Sequence, residues 1–360
     1  VIGMASTTLR DVAELAGVSI GTASAALNNR PTVSQEARIK VIDAAVALGY
    51  PLKEQEELAR QTKLSVIGLL LKQDHGRKWE INPFYSQVQL GVTDACNRNK
   101  LSIMLGNIEV DASNRPMFWP VMLEDQRIDG LILAGVFLDE TVAKIQRRTN
   151  IPIVLLDGFS GELALDSVVT DNLGGARQAM SHLFSHGHRK IGLVGWNPES
   201  PPSIQDRYLG YVGAMNVRGY ELFIEPSVLF RHGGYEGTKR LLARDPEITA
   251  IFACNDETGV GVMDAARDLG LRVPEDLSVV GFDDIALPQD VERPITTIHV
   301  HKTWMGTMTV STLIERSRNP EQPKITKVVS TYLVDRDTVK QPGKHQSHGK
   351  QEPTQSVMKE

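Results

Sequence analysis

The chain has 360 residues, 41% of them hydrophobic and 23% charged, with a formal net charge of −5. At roughly 150 residues per domain this length predicts two or three compact units, and the composition excludes a disordered or collagen-like protein. The slightly acidic total excludes a global basic field, so any contact with nucleic acid must be local and geometric.

The residues around Met4 lack the basic region and long apolar region of a signal peptide, and no apolar run reaches about 18 residues. The expectation is a cytoplasmic protein with no membrane partner. Residues 8 to 50 read as three short helices. Leu9, Val12, Ala13 and Ala16 keep one apolar face at helical spacing, and Gly17 then permits a sharp turn. Ser19 is placed to cap a second helix through Leu27. Ser34 is placed to cap a third, with Ala37, Val41, Ile42, Ala45 and Leu48 on one side and Gly49 at its end.

From Ser65 short apolar strands alternate with amphipathic helices, the pattern of parallel sheets built from βαβ units. One set of strands comprises 66–71, 101–105, 131–134 and 153–156. A second comprises 191–194, 251–254 and 279–282, with helices over 174–186 and 259–269. Two α/β lobes fit this better than one wide sheet. A late strand over 327–334 is expected to return to the sheet and tie the lobes together. Cys96 and Cys254 lie in separate apolar segments without metal-ligand spacing, and read as buried thiols in a reducing compartment. Residues 341 to 360 are too polar to bury enough surface to offset chain entropy.

The run from Thr8 to Asn28 carries Asp11-Val12-Ala13, Ala16-Gly17-Val18-Ser19, Thr22, Ser24 and Leu27-Asn28, followed by Val33-Ser34 and Leu48-Gly49-Tyr50. It closely resembles the DNA-binding head of the lactose-repressor (LacI/GalR) family, and the resemblance extends over nearly all of residues 8 to 336. It implies operator DNA as partner, with Thr8, Ser19, Thr22 and Asn28 on phosphates and Ile20, Gly21 and Ala25 facing bases. The physics agrees, since a helix, a glycine turn and a second helix set that second helix into the major groove. Family members often carry long polar groups where this chain has Ile20, Gly21 and Ala25, so bidentate base readout is weak here. Residues 1 to 50 also hold four basic and four acidic side chains, a neutral head. In the hinge, over residues 51 to 64, family members place a leucine that wedges into the minor groove. Here Ala59 falls at that position and Leu58 one residue early, about 100° around a helix. The expectation is a hinge that inserts shallowly or stays unfolded on DNA.

The remaining chain resembles the family's periplasmic-binding-protein-like effector domain, through Asn82-Pro83-Phe84-Tyr85, Arg127 to Leu131, Asn255-Asp256 and Val280 to Asp284. The resemblance implies two doubly wound parallel-sheet lobes with a small-molecule effector between them, behind a small N-terminal all-α helix-turn-helix domain. Arg207, Asn255 and Asp283 match polar ligand contacts of the family. Phe84 and Tyr85 are assigned to the wall of the first lobe, Phe230 to a stacking aromatic, and Trp196 and Trp119 to further stacking surfaces. Asp157, Asn255 and Asp283 all follow apolar strand runs, where parallel sheets bind ligands. Fixed donors and acceptors with aromatic faces suit a sugar first and a purine or nucleoside second.

The domain reading is a head over 5–50, a hinge over 51–64 and an effector domain over 65–336. The first lobe takes 65–164 and 292–324, the second 165–291 and 325–336, with a disordered tail over 337–360. His182 and His186 stand at metal-ligand spacing with His188 nearby, but lack a carboxylate or cysteine close in sequence, so no metal site is expected. Gly259-Val260-Gly261 lacks a dinucleotide fingerprint, and no phosphate loop or nucleophile elbow appears. No cofactor or enzymatic activity is expected. The rival class is a sugar-binding receptor that shares the effector fold without acting on DNA. The mechanism expected is a homodimeric repressor whose two heads read a near-palindromic operator.

Overall fold

A computed structural model describes residues 7–27, 33–48, 50, 64–75, 82–124, 127–287, 290–291 and 293–343. The head comprises α1 (Leu9–Ala16), α2 (Ile20–Leu27) and α3 (Gln35–Ala47). Thr8 and Asp11 cap α1 reciprocally, and Gly17 ends it in the left-handed conformation with φ 65°. Val12, Ala13, Ala23, Ala26, Val41, Ala44 and Ala45 form a separate small core. Small side chains let three short helices approach closely where none is stable alone. Ile42, expected on the inner side of α3, is 38% exposed, because Val41, Ala44 and Ala45 already cover the other two helices.

The first lobe is a six-stranded parallel sheet. Its strands are β1 (Val66–Asp74), β2 (Ser102–Val110), β3 (Gly130–Ala134), β4 (Ile153–Leu156), β5 (Asp166–Thr170) and β11 (Thr326–Val329), in the order β11-β5-β4-β3-β1-β2. All of β3 and β4 is buried, as expected when helices cover both faces of a parallel sheet. The lobe's helices are α4 (Pro83–Arg98), α5 (Asp139–Thr149) and α10 (Lys302–Arg318). Between β2 and β3 the chain folds back along β2, Met117 N–H bonding to Glu109 O, and then makes a short turn at Val121–Leu123.

The second lobe alternates α6 (Asn172–Ser185), β6 (Ile191–Val194), α7 (Pro202–Val217), β7 (Phe223–Ile224), α8 (Arg231–Arg244), β8 (Ala250–Ala253), α9 (Asp256–Asp268) and β9 (Ser278–Val280). Its sheet runs β7-β6-β8-β9 in parallel. Parallel bridges from Val280 to Thr296 and from Asp283 to His299 bring β10 (Thr297–Val300) beside β9, and β12 (Thr331–Val334) pairs antiparallel to β10.

Strand pairing moves the lobe boundaries away from those read in the sequence. β5 pairs with β4 and β11, so the first crossing follows Thr170 and not residue 164. β10 sits with the second lobe, while β11, assigned to that lobe, sits with the first. The single late strand is two strands in different sheets, with Ser330 at the crossing between them. The physical reason is that backbone pairing chooses the sheet, and the short strands β5 and β10 carry only two apolar residues each. Asp166 at the start of β5 is held bidentately by Arg316 of α10, with Nε–Oδ2 at 2.6 Å and Nη2–Oδ1 at 3.0 Å. Residues 337 to 343, expected to belong to a disordered tail, are among the described residues. Thr338 is fully buried, and its hydroxyl donates to Val279 O and accepts from Thr296 N–H. Those bonds supply ordering that composition could not reveal; residues 344 to 360 lie outside the described residues.

Candidate functional site

Polar side chains gather at the carboxyl ends of the parallel strands of both lobes. On the second lobe, Trp196, Phe230, Asn255 and Asp283 follow β6, β7, β8 and β9 in turn. Arg207, in α7, is 4% exposed and is the hub of this wall. Its Nε donates to Asn172 Oδ1 at 2.9 Å, its Nη1 to Cys254 O at 2.6 Å and its Nη2 to Asp283 Oδ1 at 2.8 Å. The guanidinium lies over the Phe282 ring at 3.7 Å. Burial raises the Asp283 carboxyl above the usual carboxylate range, and the Arg207 charge partly offsets this.

On the first lobe, Tyr85 of α4 donates its hydroxyl to Asp157 Oδ2 at 2.8 Å. Asp157 directly follows β4 in a left-handed conformation with φ 57°. Burial pushes its carboxyl up to about 6, although the Tyr85 hydroxyl and the Arg207 charge both favour the carboxylate. The charges of Arg207 and Asp283 act on both Tyr85 and Asp157, so the two walls lie within electrostatic reach of each other, and the space between them is the candidate cleft.

The other sequence-assigned residues fall into different roles. Phe84 is 8% exposed in the buried core and meets Tyr85 edge-on at 5.1 Å. It therefore supports the cleft wall and does not form it, because α4 turns adjacent side chains to different sides. Trp196 stacks on Tyr208 at 4.0 Å and donates Nε1–H to Gln205. Phe230 is half-buried and its carbonyl begins α8. Asn255 uses its side-chain oxygen to cap α9 at Thr258 N–H. Trp119 packs on the first lobe's second core cluster beneath Arg148, and is not part of the cleft.

Sequence reading missed Asn172 and Lys302, since neither follows an apolar strand run. Lys302, 1% exposed, donates to the carbonyl oxygens of Asp283, Asp284 and Val300. It also missed Asp284, which binds His299 Nδ1 at 2.7 Å and the Arg336 guanidinium. A lysine between the apolar residues Val300 and Trp304-Met305 was the available signal for Lys302. Among the described residues no group of three or more His, Cys, Asp or Glu is arranged to hold a metal. His188 is instead bonded on both nitrogens, to Thr249 Oγ1 and Lys340 O, and His182 packs against His186 at 4.5 Å.

The head presents a second face. Ser19 caps α2 through Thr22 N–H at 3.0 Å and bonds the Thr22 hydroxyl at 2.8 Å. Ala23 and Ala26 face the core, which leaves Ser19, Ile20 and Gly21 exposed and Thr22 and Ala25 half-buried along the opposite side. Thr8, exposed, lies at the start of α1. This surface carries small polar groups and an exposed Ile20, the composition expected of phosphate contacts beside an apolar base contact. Asn28 and the hinge residues Leu58 and Ala59 lie outside the described residues.

Residues 8–51 match the family model of bacterial regulatory proteins, lacI family, and residues 180–339 that of the periplasmic binding protein-like domain. The ribose operon repressor of Haemophilus influenzae is 31% identical over 335 residues, covering 92% of this chain and 98% of that repressor. The chain belongs to the lacI family of bacterial regulatory proteins. The HTH-type transcriptional repressor PurR of Glaesserella parasuis is 30% identical over 348 residues, covering 92% of this chain and 98% of PurR. The solved complex of the transcriptional regulator CelR with cellobiose matches at a TM-score of 0.66 and 27% identity, covering 92% of this chain and 99% of CelR. This lacI-family chain is a DNA-binding repressor with a small-molecule effector domain. Among its described residues no helix is long and apolar enough to cross a membrane.

Proposed function

We propose that this protein is a cytoplasmic homodimeric repressor whose operator affinity is set by a sugar in the cleft, and that it is not an enzyme. The observation that carries the reading is the pairing of Tyr85–Asp157 on one wall with Arg207–Asp283 on the other. One N–H on each terminal nitrogen of Arg207 is left for a ligand, and the free lone pairs of both carboxylates accept hydroxyl protons. Fixed donors and acceptors of both kinds match a polyhydroxylated ring, whose C–H face can lie on Trp196. The ribose repressor and the CelR–cellobiose complex named above support the sugar class. The non-enzyme reading is supported by the repressors that the chain resembles. On DNA, Thr8, Ser19 and Thr22 take phosphates while Ile20 and Ala25 meet bases.

A purine is the second reading, favoured by the 30% identical PurR and by the flat Trp196–Tyr208 stack. Calorimetry with D-ribose, cellobiose, hypoxanthine and guanine, each followed by an operator gel shift, separates the two. The expected result is heat and altered operator affinity with a sugar alone. A response confined to the purines would replace the sugar reading.

For the dimer, we infer a contact through the groove of about 480 Å³ along α9, where Val260, Met263 and Val291 form an apolar floor between Arg231, Asp264 and Arg267. A two-fold contact places the same residues on both sides, so acids and arginines of one rim meet those of the other.

A further inference from the structure

Lys302 stands where the two lobes meet. It opens α10, a helix of the first lobe that packs on α4, and follows β10 of the second lobe by two residues. Its ammonium reaches back into the second lobe, to the carbonyls of Asp283 and Asp284 in the segment after β9 and of Val300 at the end of β10. An ammonium has three N–H donors, and these acceptors use all of them.

The segment it holds is conformationally unusual. Asp283 and Asp284 are consecutive non-glycine residues with positive φ, 103° and 53°. Such backbone persists only where its surroundings over-determine it. Asp283 N–H is fixed by Ile298 O and its carboxylate by Arg207, while the Asp284 carboxylate is fixed by His299 and Arg336. Those partners all belong to the second lobe. Lys302 alone in this set is carried by a first-lobe helix.

We propose that Lys302 is a positioning residue for the effector response, an ammonium that ties the Asp283–Asp284 backbone of the second lobe to the first turn of α10 in the first. Through it, the orientation of Asp283, and with it of Arg207, depends on how the lobes are set, and an effector that grips Asp283 biases that setting. The inference rests on the reading of the cleft as the effector site. Ligand and lobe angle are then coupled through one bonded element that both can bias.

The test pairs hydrogen exchange of the full-length protein with operator binding titrated by D-ribose as probe. Lys302→Met keeps the side chain's bulk and removes all three donors, and Lys302→Arg restores the charge with a different donor geometry. In Lys302→Met the amides of residues 281 to 285 should exchange about tenfold faster while those of β3 and β4 do not change. Operator affinity without sugar should stay within about twofold, and the change in that affinity produced by saturating D-ribose should shrink toward none, with partial recovery in Lys302→Arg. Unchanged exchange over 281 to 285 with full ribose response overturns the proposal. Faster exchange throughout both lobes, unrelieved in Lys302→Arg, also overturns it, since that marks a general packing role. If the unmodified protein ignores D-ribose, ribose is not its effector, while the exchange measurement still decides Lys302. Should Lys302→Met fail to fold, Lys302→Arg carries the same expectations at smaller amplitude.

Discussion

Arg207 and Asp283 hold each other at 2.8 Å, and each is nearly closed off from solvent. Truncating either leaves the other charge buried without its partner, an arrangement that costs about 2–5 kcal/mol in ligand binding. Arg207→Ala and Asp283→Ala should each abolish the effector response, while operator binding without effector stays nearly intact because the head has its own core. Calorimetry and gel shift together check this, and normal ligand heats in both variants would place the site elsewhere. Asp157 supplies a pH signature. Its carboxyl titrates at about 6, so effector affinity should be level above neutrality and fall roughly tenfold per pH unit well below that value. Asp256 titrates higher, at about 7, because burial and the Asp283 charge oppose ionisation. Unfolding frees it to ionise near the ordinary aspartate value, so between about pH 4 and 7 the folded state holds a proton that the unfolded chain has lost. This group's contribution to stability therefore declines as pH rises through that window and is level above it. Thermal melts across the window should show a weaker decline, or a steeper rise, in Asp256→Asn than in the unmodified protein.

At the scale of elements, the contact between α4 and α10 decides where Lys302 and Tyr85 lie relative to each other. A Cβ added at Gly91 would stand 1.9 Å from Thr303 O, and one at Gly306 would stand 2.3 Å from Val88 O. Backbone meets backbone here, so neither neighbour can yield without moving a whole helix. Gly91→Ala should destabilise the protein by about 1–3 kcal/mol and weaken effector binding as well, since it displaces the first turn of α10. Chemical denaturation and calorimetry on the same variant check both expectations. A loss of stability with unchanged effector affinity would show that α10 relaxes away from the cleft.

For the whole molecule, the proposed dimer and the neutral head belong together. One head with small side chains on its reading face binds weakly, and a dimer adds the second half-site at high effective concentration. Met263→Asp puts a charge on the apolar floor of the α9 groove. Sedimentation should find it as a monomer, with operator affinity lowered by an order of magnitude or more. A variant that remains dimeric would move the interface to another face. On the operator itself, Ile20 and Ala25 favour thymine methyl groups over guanine edges. Uracil in place of thymine at the contacted positions should weaken binding, and half-sites indifferent to that change would remove the apolar readout.

The sequence by itself determined the head, because its helices are specified by local signals: the Ser19 and Ser34 caps, the Gly17 turn and apolar spacing within a few residues. It also determined that strands such as β3, β4, β6 and β8 exist, since each is buried on both faces and reads as an unbroken apolar run. The residues after those runs, among them Asp157, Asn255 and Asp283, were legible for the same reason. Tertiary structure alone decided which sheet the short strands β5, β10 and β11 join, and so where the chain crosses between lobes. It alone turned Phe84 into the core and Tyr85 toward Asp157, and brought Lys302 to the carbonyls of Asp283 and Asp284. Those outcomes depend on partners 18 to 159 residues away, as in Lys302 with Asp284 or Asp166 with Ile325. A periodicity read over one helix or strand carries no information about such distant hydrogen bonds, whereas the folded chain must satisfy every one that it buries.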